Sequence, residues 1–181
     1  MNNNLISLTT PLSEEAVSRL KVGDVVSISG YIYTGRDAVL PKIVKHAEEG
    51  TLSDVSVDLT GSVIFHTAVS PAGVGPTSSN KLEIESSFEP LSKAGVKMHL
   101  GKGAIKPETV KALAENNAVF AIIPPVTALL ESQTVEREVV CYPELGMEAF
   151  HRIKVENYQA IIAAAHGESI YEWSLALAVC C

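Results

Sequence analysis

The 181-residue sequence predicts an α/β fold, a compact single unit of mixed strands and short helices. Three observations carry that expectation. Short β-branched runs alternate with amphipathic helical windows along the whole chain, the pattern of layered α/β units. Glycine and proline punctuate the joints between those runs. Hydrophobic residues make up 46% and charged residues 19% of the chain, enough to bury a core and too apolar for a disordered segment.

The elements follow in order. Residues 25–32 (VVSISGYI) read as a buried strand closing on Gly30. Residues 38–48 carry apolar side chains at helical spacing and stop at Gly50, in spite of Pro41. Residues 62–66 form a short apolar strand, and 82–91 a helix cut by Pro90. Residues 96–100 read as a strand. The clearest helix is 107–117, with Pro107 in its first turn, Glu108 close behind, and Val110, Leu113 and Ala114 on one face. A strand at 119–123 is closed by Pro124 and Pro125, and a short helix at 126–132 follows. The remaining third is strand-rich, with runs at 135–141, 150–155 and 160–165. No repeat or low-complexity tract interrupts the series.

Bulk charge and cysteine usage exclude several classes. A net charge of -7 disfavours non-specific binding to nucleic acid, whose phosphates repel an acidic surface. The three cysteines, Cys141, Cys180 and Cys181, contain no CxxC pair and form neither a disulfide framework nor a metal-ligand spacing. A reducing cytoplasm is the simplest setting. Residues 1–12 lack the charged-then-apolar pattern of a signal peptide. No apolar run reaches the roughly 18 to 20 residues that span a bilayer. Residues 173–181 are an apolar C-terminal tail, either a docking segment or a loosely held end.

Four segments hold more glycine and polar character than their strands require. The first is the stretch from Gly30 to Asp37, where Arg36 stands between a strand and a helix. Its planar fork suits a carboxylate; the alternative is a local pair with Asp37. The second runs from Gly73 through Gly75, Pro76, Thr77, Ser78 and Ser79 to Asn80 and Lys81. Glycines there let a backbone approach a ligand, and the following helical window offers N–H groups to an anion. The same residues also fit ordinary helix capping, with Asn80 and Glu83 as a capping box. The third is Gly101-Lys102-Gly103, a point charge in a flexible turn directly after a strand. The fourth, residues 143–149, carries Glu144 and Glu148, suited to acid/base work or an interface, or simply to a polar turn.

Self-sufficient catalytic motifs are missing from the sequence: there is no GxSxG, HExxH, GxGxxG or Walker A loop. The five histidines are dispersed, and His66 and His99 read as packed or strand-end residues closing apolar strands. The chain therefore offers anion-binding turns without a catalytic engine of its own.

The order and spacing of these motifs resemble one family. The series is Leu12-Ser13, Leu20-Lys21-Val22-Gly23-Asp24-Val25-Val26, Ser29-Gly30, Gly35-Arg36-Asp37, Val63-Ile64-Phe65-His66, Gly75-Pro76-Thr77, Gly101-Lys102-Gly103, Glu144-Leu145-Gly146-Met147-Glu148-Ala149 and Val155-Glu156-Asn157. It is similar to the β subunit, or C-terminal domain, of the iron–sulfur-dependent class I fumarate hydratase and L(+)-tartrate dehydratase family, over roughly residues 5–172. The resemblance implies a swivelling β/β/α domain at 1–172 and a hydro-lyase that adds water to, or removes it from, a small dicarboxylate of the fumarate/malate or tartrate/oxaloacetate type. It implies a partner α subunit holding a 4Fe-4S cluster through three cysteines with one iron open, no metal ligand on this chain, and a hetero-oligomer in which the β unit closes over the cluster.

Residue by residue, the resemblance implies substrate contacts from Arg36, Gly75, Thr77, Lys81 and Lys102, with Thr77 and Lys102 in catalytic roles. Lys81 stands where the family has arginine, Leu40 where it has histidine, and Ser78 where it has a second threonine. The stretch from His66 to Gly75 is shorter than in tartrate-type members. These departures bear on which hydroxy-diacid is gripped. They also motivate two other readings: a non-catalytic small-carboxylate-binding module, and a divergent dehydratase subunit such as the small subunit of an aconitase-like enzyme, which fits the Arg36, Thr77 and Lys102 set less well.

Overall fold

Pairing of one long strand with both the first and the last strand of a parallel run closes this chain's main sheet into a barrel. The computed structural model describes residues 5–77, 81–124 and 127–171, so the tail at 173–181 lies outside the described residues. The strands are β1 (Ile6–Thr9), β2 (Val25–Thr34), β3 (Val63–Phe65), β4 (Thr67–Ser70), β5 (Gly73–Thr77), β6 (Met98–Gly101), β7 (Val119–Ile122), β8 (Thr134–Cys141), β9 (Phe150–Ala165) and β10 (Glu168–Ser169). The helices are α1 (Glu14–Ser18), α2 (Leu40–Glu49), α3 (Lys81–Lys93), α4 (Pro107–Glu115) and α5 (Thr127–Ser132). Strands β1, β2, β3, β6 and β7 lie side by side in that order and all run parallel. The long β9 runs antiparallel to both β2 and β7, so the sheet β2–β3–β6–β7–β9 returns to its first strand. Closure leaves no unpaired edge within that ring.

Alternation assigns each strand one face inside and one outside. Val63 and Phe65, Met98 and Leu100, and Val119 and Ala121 point into one core with Val26, Ile28, Ile32 and Ile153. Their neighbours face the helices instead. Ile64 joins Leu40 and Ile43 of α2 in a second cluster, and Phe120 joins Ile84 and Phe88 of α3 and Val110 and Leu113 of α4 in a third. Strands β3 and β6 are buried at every position, on both faces, which is why they read as continuous apolar runs.

Two of the sequence expectations are corrected by the same feature. The strand at 25–32 does not close on Gly30 but continues to Thr34, and the runs at 150–155 and 160–165 are one strand. A β-bulge joins them. The pairing of β2 with β9 shifts between Ile28 and Gly30, opposite Asn157, whose φ is 58°. The extra residue moves the inward positions from Ile153 and Val155 to Tyr158, Ala160 and Ile162. Hydrogen bonds hold the bulge: the Asn157 N–H donates to Ser29 Oγ at 3.0 Å, and Ser27 Oγ donates to Asn157 Oδ1 at 3.4 Å. Gly30 is required there because its φ is +111° and a Cβ would stand 2.4 Å from Thr10 Oγ1.

Helix α2 starts at Leu40, two residues later than expected, and ends on Gly50, left-handed at φ 70°, as its glycine stop predicts. Helix α3 runs on through Pro90 to Lys93. The short elements β1 and α1 and the β4–β5 hairpin are absent from the sequence reading. Each is five residues or fewer, and glycine and proline break the hairpin's alternation.

Candidate functional site

The parallel register gathers the candidate residues at one edge. Thr34 pairs with Phe65 in the β2–β3 ladder, and Phe65 pairs with Leu100 in the β3–β6 ladder. Two residues beyond that row come Arg36, Thr67 and Lys102. They stand at the C-terminal ends of three adjacent parallel strands, the edge where open α/β sheets bind ligands. Backbone bonds hold the loops in place: Gly35 N–H donates to Phe65 O at 3.2 Å, and His66 N–H to Leu100 O at 3.0 Å. The β4–β5 hairpin then folds back over the same edge. Its register sets the Thr77 backbone beside Thr67, whose hydroxyl donates to Gly75 O at 2.6 Å. Arg36, Gly75, the Thr77 backbone and Lys102 thus share one edge. Lys81 opens helix α3, which follows the hairpin in the chain.

Arg36 is neither a free surface residue nor simply a partner of Asp37. Its Nε lies 3.4 Å from Asp37 Oδ1 and equally 3.4 Å from Glu148 Oε1. Glu148 comes from the 3-10 turn Pro143–Glu148 that leads into β9. The fourth polar segment is therefore a turn, as one reading of it had it, and one of its two carboxylates reaches the candidate edge. Both ion pairs run through Nε. Among the described residues no hydrogen bond uses the two terminal nitrogens, so the fork stays available for a planar carboxylate. The arginine side chain is 28% exposed, which limits solvent screening of that contact.

Lys102 is exposed, between buried Gly101 and Gly103, whose φ is 72°. Gly101 has its own packing reason, since a Cβ there would meet the Phe120 ring at 3.0 Å. The hairpin is braced from outside by Glu131 and Arg137. Glu131 accepts from Val74 N–H at 3.2 Å and is ion-paired with Arg137, which donates to Ser70 O. Leu40, at the position of the family's histidine, is fully buried in the second core and presents no polar group to the edge.

His66 and His99, far apart in the sequence, are joined in the structure. His66 Nε2 lies 3.1 Å from His99 Nδ1, and His99 Nε2 lies 3.0 Å from Ser92 Oγ on α3. Phe88 stacks on both imidazoles, with centroids 4.8 Å and 4.2 Å away. Burial pushes the His66 pKa down to about 3. Burial, and then the neighbouring His66, hold His99 well below its ordinary value. Both rings are therefore neutral near pH 7 and cannot serve as cationic ligands for an acid. The signal that could have found them is their position: each directly follows, or sits within, an apolar strand of a pair that the register makes adjacent.

The described residues do not fit an iron–sulfur cluster or any other metal centre. Among them no three His, Cys, Asp or Glu side chains are grouped to hold a metal ion. Cys141, the one cysteine among them, is partly buried, and burial followed by Glu144 pushes its thiol up to about 11, so it remains protonated. No helix among the described residues is long and apolar enough to cross a membrane.

The family described as Fumarase C-terminus matches residues 1–174. The chain is 32% identical over 181 residues to "Putative fumarate hydratase class I" of Geobacillus stearothermophilus, with 93% of this chain and 34% of that protein covered. It is 33% identical over 176 residues to "Putative L(+)-tartrate dehydratase subunit beta" of Methanocaldococcus jannaschii, covering 89% of this chain and 88% of that one. It is 30% identical to the L(+)-tartrate dehydratase subunit beta of Escherichia coli K12, covering 90% and 85%. The chain thus spans about a third of the fumarate hydratase and most of each tartrate dehydratase subunit. On the extent of these matches, the chain belongs to the Fumarase C-terminus family.

Proposed function

We propose that this chain is the β-type unit of a hydro-lyase, gripping a small dicarboxylate of the fumarate/malate or tartrate/oxaloacetate type while a partner α unit supplies the reaction centre. The observation that carries the reading is the row of Arg36, Thr67 and Lys102 at one strand edge, with the Thr77 backbone beside it. Two cationic side chains on one edge suit the two carboxylates of a diacid, in a chain whose net charge is otherwise -7. The names of the relatives, a fumarate hydratase and two tartrate dehydratase β subunits, support the same chemistry and the need for a second subunit.

In this reading Arg36 takes one carboxylate bidentately and Lys102 a second charge, with Gly75 and Lys81 completing the contacts. Thr77 is the proton-transfer group. Its hydroxyl is a poor base at its ordinary pKa, so a neighbour in the assembled site must activate it. A 4Fe-4S cluster belongs to the partner, where its open iron supplies Lewis-acid chemistry. Residues 1–172 form the β-type domain, which closes by swivelling over the partner and excludes bulk water, and 173–181 a tail. The setting is the cytoplasm.

The test is co-expression with an iron–sulfur α unit carrying three cluster cysteines. The expected result is an inactive isolated chain and an oxygen-sensitive complex that hydrates fumarate or dehydrates tartrate. Failure of every such α unit to bind would sink the reading. A second reading, a carboxylate-binding module without turnover, is favoured by Leu40, a buried apolar side chain at the position of the family's histidine. It predicts that malate, fumarate or tartrate raises the melting temperature of the isolated chain with the concentration dependence of binding linkage.

A further inference from the structure

Two residues that line one small cavity each carry a buried polar atom with no hydrogen-bond partner among the described residues. His66 is 2% exposed and its Nδ1 has no hydrogen bond; Glu85 is 8% exposed and its Oε1 has none. The other atoms of both groups are engaged. His66 Nε2 is on His99, and Glu85 Oε2 accepts from Lys106 N–H at 2.9 Å and from Thr109 Oγ1 at 2.8 Å, which caps α4. Both residues line a cavity of about 30 Å³ together with Phe88, Ile105, Phe120 and Lys102.

We propose that this cavity is a binding site for one ordered water, held between His66 Nδ1 and Glu85 Oε1 and oriented by the buried chain Ser92–His99–His66. Size selects the ligand. A single water needs roughly 10–15 Å³ of such space, whereas small-molecule pockets start at about 300 Å³, so a dicarboxylate is excluded. Chemistry selects it too. Glu85 offers an acceptor, and His66 Nδ1 offers a donor or an acceptor according to the direction of the chain. If His66 Nε2–H donates to His99 Nδ1, then His99 Nε2–H donates to Ser92 Oγ and His66 Nδ1 is a bare acceptor. If Ser92 O–H donates to His99, every proton shifts along by one group and His66 Nδ1–H becomes a donor. Water satisfies both states, donating to Glu85 in each. One water therefore accommodates either direction of the whole chain, down to the hydroxyl on α3.

The inference stands apart from the proposed activity and is tested without turnover. A high-resolution crystal structure of the full chain, with water–protein NOE spectra of 15N-histidine-labelled protein, reads it directly. The expected result is a water within hydrogen-bonding distance of both atoms and a long-lived water cross-peak to the His66 ring. His66→Phe keeps the stack on Phe88 and should abolish both signals. A wild-type structure in which Lys102 Nζ pairs with Glu85 Oε1 instead, or which lacks the water, overturns the proposal, as does a site that His66→Phe leaves occupied. Should that variant fail to fold, the wild-type measurements alone decide.

Discussion

Arg36 Nε lies 3.4 Å from Glu148 Oε1, an ion pair that ties the loop after β2 to the turn entering β9. Asp37 Oδ1 lies at the same distance from the same nitrogen. A partly buried pair of this kind orients a side chain more than it stabilises a fold. Among the described residues no hydrogen bond uses the fork's two terminal nitrogens, which stand at the strand edge shared by Lys102.

Substituting Arg36 separates these roles. In the assembled enzyme Arg36→Ala should lower kcat/KM about 100-fold, the loss of charge-assisted hydrogen bonds worth roughly 1.5–3 kcal/mol each. Its melting temperature should hardly move. Arg36→Lys keeps the charge and loses the planar fork, so it should recover only part of the loss. Steady-state kinetics beside thermal melts check both; an unchanged kcat/KM in Arg36→Ala removes the carboxylate role.

Lys102→Ala makes the complementary case. The side chain is exposed, so its removal should leave stability within about 0.5 kcal/mol of the parent. Loss of one point charge against a carboxylate should cost about 10- to 100-fold in kcat/KM. If melts and kinetics are both unaffected, Lys102 belongs to a plain turn.

The local punctuation of this fold was legible in the sequence, and its long-range pairings were not. Gly50 ends α2 and Pro107 opens α4 because those effects act within one turn of the chain. Periodicity failed at β9 because the bulge at Asn157 reverses which parity faces inward, so one strand mimics two. The row of Arg36, Thr67 and Lys102 depends on the β2–β3–β6 register, which no local signal encodes. For the same reason the motif order that marked Arg36 and Lys102 could not pair Arg36 with Glu148, or His66 with His99. Those contacts exist only once the strands are side by side.

The bulge offers a sharp test of that register. Gly30→Ala forces a Cβ to within 2.4 Å of Thr10 Oγ1 at a φ of +111°. Strain and overpacking each cost about 1–3 kcal/mol, so the variant should lose roughly 2–6 kcal/mol. Gly50→Ala, at φ 70° with no atom within 4 Å of the new Cβ, should lose only the conformational part, about 1 kcal/mol. Urea melts should show lower midpoints at unchanged slope, in that order. Equal losses at the two positions would mean that the Thr10 contact relaxes without cost.

The buried histidine pair makes stability depend on pH in a defined direction. The His66 pKa falls from its ordinary 6.5 to about 3 on folding, and His99 falls well below 6.5. Below pH 6.5 the unfolded chain therefore takes up protons that the folded chain refuses. The stability from keeping both rings neutral is fully present above pH 6.5 and is lost as the pH falls toward 3. Each neutral ring contributes a slope of about 1.4 kcal/mol per pH unit, so the pair gives about 2.7. Buried His151, its pKa also lowered by burial, adds in the same direction. Against a typical total of about 5–15 kcal/mol, two pH units remove a large share. Urea titrations between about pH 5 and 6.5, where most carboxylates stay ionised, isolate the effect. His66→Gln cannot take up a proton; it should be less stable than the parent at pH 7, through the lost bond to His99, yet show a slope shallower by about one histidine's share. Parallel slopes for parent and variant would show that His66 is protonated in the folded chain after all, and that the rings are not closed to solvent.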